Sequence, residues 1–171
     1  YSLAMVLHRL ISVFILLVAL VSLSVSLTAQ HFFDKEPCIL CLYQRVPFVI
    51  TGLLALIALR LKASSKLTPL IIMPCGLIYL IGAGIAIYHV GVEQHWWISG
   101  CSGSLDQNAI LSDLRASLMQ KAAKSCGDVD WALFGISIAT YNVFFSSALG
   151  FASIAAGMQL SKTLKEKQGN D

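Results

Sequence analysis

Long apolar stretches separated by short polar ones dominate the chain. Ile11 to Ala29 carries no acidic or basic residue and is rich in Leu and Val. Cys41 to Leu61 is a second stretch, interrupted only by Arg45 near one end and Arg60 at the other. Leu67 to Val92 holds Pro69, Pro74 and one histidine, His89, but no formal charge, and Trp131 to Leu160 is again uncharged. A membrane-crossing helix needs about 20 apolar residues, because the hydrocarbon core is about 30 Å thick. Within lipid every backbone polar group must be bonded inside the chain, so the pattern predicts four transmembrane helices, at about 11–29, 41–61, 67–92 and 131–160. Gly82, Gly84, Gly135, Gly150 and Gly157 lie in these stretches, and such small residues let helices approach closely. The expected fold is all-α: a single membrane domain, a four-transmembrane-helix bundle, with outer loops at about 30–40 and 93–130.

Composition agrees. Of 171 residues, 57% are hydrophobic and 12% charged, about half the charged share of a soluble domain. Mean hydropathy is +0.75. The net charge of +3 is too small to argue for nucleic acid. The chain starts at Tyr1, so a short N-terminal piece is expected to be missing. The first apolar segment is too long for a signal peptide and reads as a retained span.

Charge distribution sets the expected orientation. Arg9, Arg60, Lys62, Lys66, Lys162, Lys165 and Lys167 fall at one end of a four-span bundle, with Glu166 and Asp171 as the acidic residues there. The other end has five basic residues, counting Arg45, and seven acidic ones. The positive-inside rule then puts both termini in the cytoplasm. Trp96, Trp97 and Trp131 fall at the outer interface, where amphipathic rings are favoured.

The five cysteines sharpen the picture. Cys38 and Cys41 head the second span, Cys101 and Cys126 lie in the long loop after the third, and Cys75 sits inside the third. Four therefore face the outside, the compartment where disulfides persist. Cys75 reads as a small packing residue. For Cys38-Ile39-Leu40-Cys41 three readings stand: a redox pair, a structural bridge, or half of a zinc site completed by Cys101 and Cys126 or by His89 or His95. A bridge across so short a loop removes little unfolded-chain entropy, and the loop cysteines form no second close pair. The redox reading leads and no metal is expected. Cys41 lies near a helix start, where the dipole favours a thiolate. Arg45, four residues on, shares its face if the turn is regular; the other reading of Arg45 is an interfacial anchor. Pro47 lacks the N–H that would bond the Tyr43 carbonyl, so either the helix starts late or that carbonyl is released to another partner.

In the long loop, Leu111, Leu114, Leu118 and Ala122 recur at helical spacing, which predicts a short amphipathic helix on the membrane surface or against a partner. Cys101 precedes it in a Gly/Ser turn and Cys126 follows it, so both are expected in mobile, exposed sequence, open to attack by another protein's thiolate. His89, an ionisable residue at membrane depth, is either a hydrogen-bond donor to a cofactor headgroup or an interfacial histidine beside water. His8, His31 and His95 are left unassigned.

Glu36-Pro-Cys-Ile-Leu-Cys-Leu-Tyr-Gln-Arg45 followed by a hydrophobic span resembles the DsbB family of bacterial disulfide-forming membrane proteins. Tyr88-His-Val-Gly-Val-Glu-Gln94 and the two loop cysteines look like the same family, and the likeness covers nearly the whole chain. It implies a thiol:quinone oxidoreductase of the inner membrane that reoxidises a periplasmic thioredoxin-like oxidant, DsbA-like, and passes electrons to ubiquinone or menaquinone. Carried over by position, Cys101 is attacked by the partner, Cys126 exchanges with Cys38, Cys41 faces the quinone, Arg45 stabilises that thiolate and the quinone oxygens, and His89 lies at the quinone site. Gln44 departs from the pattern, since many relatives are expected to be acidic there; the change alters the electrostatics beside the thiols. Cys75 lies outside the family's working set. Two other readings remain: an enzyme resembling vitamin K epoxide reductase, whose redox pair is expected in a later span, and a non-catalytic scaffold with structural disulfides.

Overall fold

A computed structural model describes residues 3–33, 37–61, 67–97, 101, 125–129 and 132–169. The order is α1 (Leu3–Phe32), α2 (Ile39–Tyr43), α3 (Val46–Arg60), α4 (Leu67–Glu93), β1 (Ala132–Leu133), β2 (Ile136–Ser137) and α5 (Ile138–Gly169). Four helical stretches are long and apolar enough to cross a membrane: Val6–Phe32, Ile39–Arg60, Leu67–Glu93 and Ile138–Glu166. The chain is an all-α, four-helix membrane protein. The most apolar span, in α1, is also the least buried, with 17% of its window inside the protein. Leu10, Phe14, Leu17 and Val21 point outward from it. An apolar surface of that extent fits lipid rather than water.

Two spans differ from their expected outlines. The second is broken: α2 ends at Tyr43 and α3 begins at Val46, with Pro47 in its first turn, where a missing N–H leaves no bond unmade. The late start is thus the outcome at Pro47. The fourth helix begins at Ile138 instead of 131 and runs beyond 160. A two-stranded hairpin precedes it, pairing Ala132 with Ser137 and Leu133 with Ile136. Phe134 and Gly135 in its turn have φ of 53° and 80°, the positive values that a primed hairpin turn requires. Periodicity misses so short a hairpin because its residues are as apolar as the span they abut. The amphipathic helix expected around Leu111–Ala122, and Trp131, lie outside the described residues.

The core runs along the bundle axis. Phe48 and Ala55 of α3, Ile72, Cys75 and Tyr79 of α4, and Leu149 and Leu160 of α5 pack together with Ile15 of α1. Cys75 is 1% exposed, in keeping with a packing role. Helix α4 makes its most extensive contact with α5. Gly150 permits it: a Cβ there would lie 2.7 Å from the Leu80 side chain. Gly84, in contrast, has nothing near it, so its small size serves no packing in this fold. At the end of the bundle far from the CxxC pair, the buried His8 bonds through Nε2 to the Ala58 carbonyl at 2.8 Å and ties α1 to α3.

Candidate functional site

The break between α2 and α3 builds the site. Cys38 is the N-cap of α2, and its sulfur accepts the backbone N–H of Cys41 at 3.3 Å. That turn also brings the Cys41 sulfur to 2.8 Å from the Cys38 sulfur, both as thiols. From α4, His89 places Nε2 3.5 Å from the Cys38 sulfur. The Cys41 backbone N–H and the His89 ring thus both aim at Cys38 and neither aims at the Cys41 sulfur, so Cys38 is the better acceptor of the two. The hydrogen bond from the Cys41 thiol lowers the Cys38 pKa most, burial opposes it, and His89 and the Cys41 backbone N–H lower it further; the result is about 4 against an ordinary 9.0. From sequence the thiolate was expected at Cys41. Capping geometry gathers the N–H donors at Cys38, its partner in the pair, because a helix N-terminus donates its free N–H groups to the cap residue.

A chain of side chains fixes the histidine. Gln44 puts its amide nitrogen 2.8 Å from His89 Nδ1. The Asn142 amide donates to the Gln44 carbonyl at 2.7 Å, and Ser146 donates to the Asn142 carbonyl at 2.8 Å. Read in one direction, these bonds make Nδ1 an acceptor and leave the ring proton on Nε2, aimed at Cys38. Beside the ring, one Glu93 oxygen lies 3.8 Å from Nε2. Glu93 is 8% exposed, and its other oxygen has no hydrogen-bond partner among the described residues. The sequence marks Gln44 only as a departure from the family pattern beside the thiols and Glu93 only as part of the Tyr88–Gln94 motif, and assigns neither these nor Asn142 to the site. Asn142 does leave a trace, as a lone amide in an uncharged span, the kind of polar residue that marks an interior contact.

Between α2 and α3 the chain tightens without leaving right-handed helical backbone at Gln44 and Arg45, and the Arg45 N–H bonds to the Leu42 carbonyl. The Arg45 Nη1 donates to Gln30 of α1 at 2.8 Å, and its Nε is buried without a partner among the described residues. Both Arg45 and Cys41 line one cavity of about 440 Å³ that also reaches Cys38, His89 and Asn142. Its far walls are apolar, with Leu23, Phe48 and Phe145 among them. Cavities of this size and make-up hold small apolar ligands with a few polar anchors. A quinone ring fits that description: the orphaned Arg45 Nε supplies a buried donor for a ring oxygen, and the apolar walls suit an isoprenoid tail.

The loop pair is brought to the same place. Cys101 and Cys126 are joined as a disulfide, with Cα atoms 5.4 Å apart, and Cys126 N–H donates to the Cys101 carbonyl at 2.7 Å. Cys126 packs in one buried cluster with Cys38, Leu40 and Val92, and Cys41 and Cys101 lie against it. All four cysteines singled out in the sequence thus meet. One expectation needs correction: Cys126 is 0% exposed, and only Cys101 is partly open. Its burial follows from that packing, because a small apolar sulfur fills the gap beside α2 and α4.

Known proteins point the same way. The chain is 31% identical over 138 residues to a Disulfide bond formation protein B of Xylella fastidiosa strain Temecula1, covering 74% of this chain and 76% of that one. A Disulfide bond formation protein B of Acinetobacter baumannii is 28% identical over 144 residues, 81% of this chain and 84% of its own. An uncharacterized protein of Rickettsia prowazekii, RP370, is 22% identical across 83% of each chain. No solved structure matches. Residues 8–156 match the family described as Disulfide bond formation protein DsbB, and that span takes in both cysteine pairs, Arg45 and His89: the chain belongs to the DsbB family.

Proposed function

We propose that this disulfide-forming membrane protein is a thiol:quinone oxidoreductase, which reoxidises a periplasmic DsbA-like oxidant and delivers the electrons to membrane quinone. The observation that carries this is the single cluster in which a bridged pair and a dithiol adjoin, at the mouth of an apolar cavity that holds Arg45 and His89. The basic residues at the opposite end support an inner-membrane orientation with cytoplasmic termini and periplasmic cysteines.

Each step moves one sulfur–sulfur bond. A partner thiolate attacks Cys101, the open half of the bridge, and Cys126 leaves as a thiolate. The partner's second thiolate then attacks its own bridging sulfur and departs oxidised, leaving Cys101 and Cys126 reduced by two electrons. Buried against Cys38, Cys126 is placed to attack that sulfur when Cys38 and Cys41 are bridged. Cys101 next resolves the mixed disulfide, so the loop bridge re-forms and Cys38 and Cys41 become the dithiol seen here. His89 and the Cys41 thiol hold Cys38 as a thiolate. Arg45, with its buried Nε, would anchor a ring oxygen, and His89 would line the ring's polar end. Quinone, when bound, supplies the sink for two electrons and two protons.

The test is quinone reduction by the purified protein with a reduced thioredoxin-like partner. Cys41→Ser is expected to abolish it. Full activity in that variant would remove the CxxC pair from the electron path.

A further inference from the structure

We propose that the reduced dithiol of Cys38 and Cys41, together with His89 and Glu93, binds a thiophilic divalent cation such as zinc, and that oxidation of the pair to a disulfide expels the ion. This adds regulation to the site described above, and rests on that reading for the pair's cycling between dithiol and disulfide. In the sequence, zinc is disfavoured because the loop cysteines stand 25 residues apart. The structure withdraws those two as ligands, since they bond each other, and brings in His89.

The donor atoms of Cys38, Cys41 and His89 all lie within 4.8 Å of one another. Tetrahedral zinc has Zn–S bonds of about 2.3 Å and Zn–N bonds of about 2.0–2.1 Å, which separate a ligand sulfur and nitrogen by about 3.5 Å and two sulfurs by about 3.8 Å. The Cys38–His89 pair already stands at 3.5 Å. The two sulfurs, at 2.8 Å, need only part slightly, and Cys41 borders the cavity into which it would move. The carboxylate of Glu93 points independently to a cation. It is buried, its side chain 5% exposed, with one oxygen unpartnered among the described residues and the other 3.8 Å from the imidazole. A buried carboxylate without a counter-charge is unfavourable; beside two thiols and an imidazole it becomes the fourth donor after a small shift.

The surrounding amides suit this role. Metal-binding histidines usually donate their second ring N–H to a carbonyl or carboxylate. Gln44 touches Nδ1 at 2.8 Å. Rotation of its amide by half a turn presents the carbonyl to an Nδ1–H and frees Nε2 for the ion, with Asn142 turning in step; nitrogen and oxygen ends of an amide occupy nearly the same space. With two thiolates and the Glu93 carboxylate as ligands, a divalent ion leaves the complex with a single negative charge in place of three, which favours its uptake in a site this buried. Oxidation balances simply. A two-electron azo oxidant such as diamide takes both electrons from the two thiolates and two protons from water to become a hydrazine, the sulfur–sulfur bond forms, both metal–sulfur bonds break, and the ion passes to water.

The experiment uses full-length protein in detergent, carrying Cys101→Ser and Cys126→Ser so that the loop thiols contribute nothing, and containing no quinone. After reduction with a phosphine, zinc is titrated against a chromophoric chelator, and cobalt is added in parallel for its sulfur-to-metal absorption. About one ion per reduced chain is expected, with sulfur-to-cobalt bands, and diamide should release it. His89→Ala should weaken binding at least about tenfold, the loss seen when a metal site's supporting shell is cut; Glu93→Gln should weaken it less, and Cys75→Ala not at all. Equal zinc binding by the reduced and the diamide-treated protein, no binding at all, or unchanged affinity in His89→Ala would each overturn the proposal. Because no quinone is present, such a failure leaves the oxidoreductase reading standing. A failure of quinone reduction in the wild-type protein, conversely, does not touch the metal titration.

Discussion

The two cysteine pairs differ in how they are reached. Cys101 and Cys126 are bonded to each other, and one of the two is partly open. Cys38 and Cys41 are thiols on a short helix, the first buried and the second facing an apolar cavity. One pair has a half that is partly open at the surface, the other borders an apolar cavity within the bundle. They meet in one buried cluster through Cys126 and Cys38. Separation of access, with contact between the buried halves, is what the arrangement teaches.

The largest effects should come from removing one pair while keeping the other. Cys101→Ser is expected to abolish turnover with a protein partner, yet leave Cys38 and Cys41 able to pass electrons from dithiothreitol to quinone. Cys41→Ser should abolish both. Measuring quinone absorbance with each reductant separates these outcomes; loss of the dithiothreitol reaction in Cys101→Ser would mean that Cys38 and Cys41 are reduced only through the loop pair, whereas full turnover with the protein partner in that variant would mean that the pairs do not act in series. Next in size is Arg45→Ala. A hydrogen bond to a charged donor is worth about 1.5–3 kcal/mol, so KM for quinone should rise on the order of 10- to 100-fold with the protein-partner KM unchanged. A rise in the partner KM instead would place Arg45 on the wrong side of the comparison.

A smaller effect concerns pH. The Cys38 pKa lies below its ordinary 9.0, near 4, so Cys38 is a thiolate throughout the neutral range. Stability drawn from that shift is complete above pH 9, declines as pH falls, and is gone below about pH 4. Alkylation of Cys38 by a small neutral reagent should accordingly hold a plateau across neutral pH and fall only in acid. Removing the ring in His89→Ala takes away a donor and should move the inflection upward, less than Cys41→Ala does, because the Cys41 thiol is the larger influence. An inflection near 9 in the wild-type protein would contradict the convergence of donors at Cys38.

Much of this was legible in the sequence, for physical reasons. Gaps between charges located all four spans because lipid tolerates so few alternatives. The cysteines and Arg45 stood out because each is rare at the end of an apolar run. What stayed hidden depends on three-dimensional meeting. The partner of His89 is Gln44, 45 positions away, and Asn142 reaches Gln44 across 98; no local pattern links them. Pro47 signalled a disturbance, but only the fold shows that Arg45, past the tightened turn, reaches Gln30 of α1. Exposure misled in the same way: a Gly/Ser-flanked cysteine reads as open, yet Cys126 is enclosed by residues from α2 and α4.

The least of these effects probes how far the CxxC pair's environment extends. Asn142 touches no sulfur; it donates to Gln44, which sets the tautomer of His89. In Asn142→Ala the Gln44 amide is released to turn either way, so the ring divides its time between two tautomers and donates to Cys38 in only one of them. The alkylation inflection should therefore move in the same direction as in His89→Ala but less, corresponding to about 1 kcal/mol at most, the ordinary net worth of one hydrogen bond. Nitrogen NMR of His89 should show a mixed tautomer where the wild-type protein shows Nε2–H. Disulfide exchange at Cys101 should be untouched, since Asn142 lines the cavity and not the loop. A shift as large as that of His89→Ala would mean that the whole ring has moved and not merely its proton; no shift at all would mean that Gln44 is held by something other than Asn142, and the chain from Ser146 to Cys38 would lose its middle link.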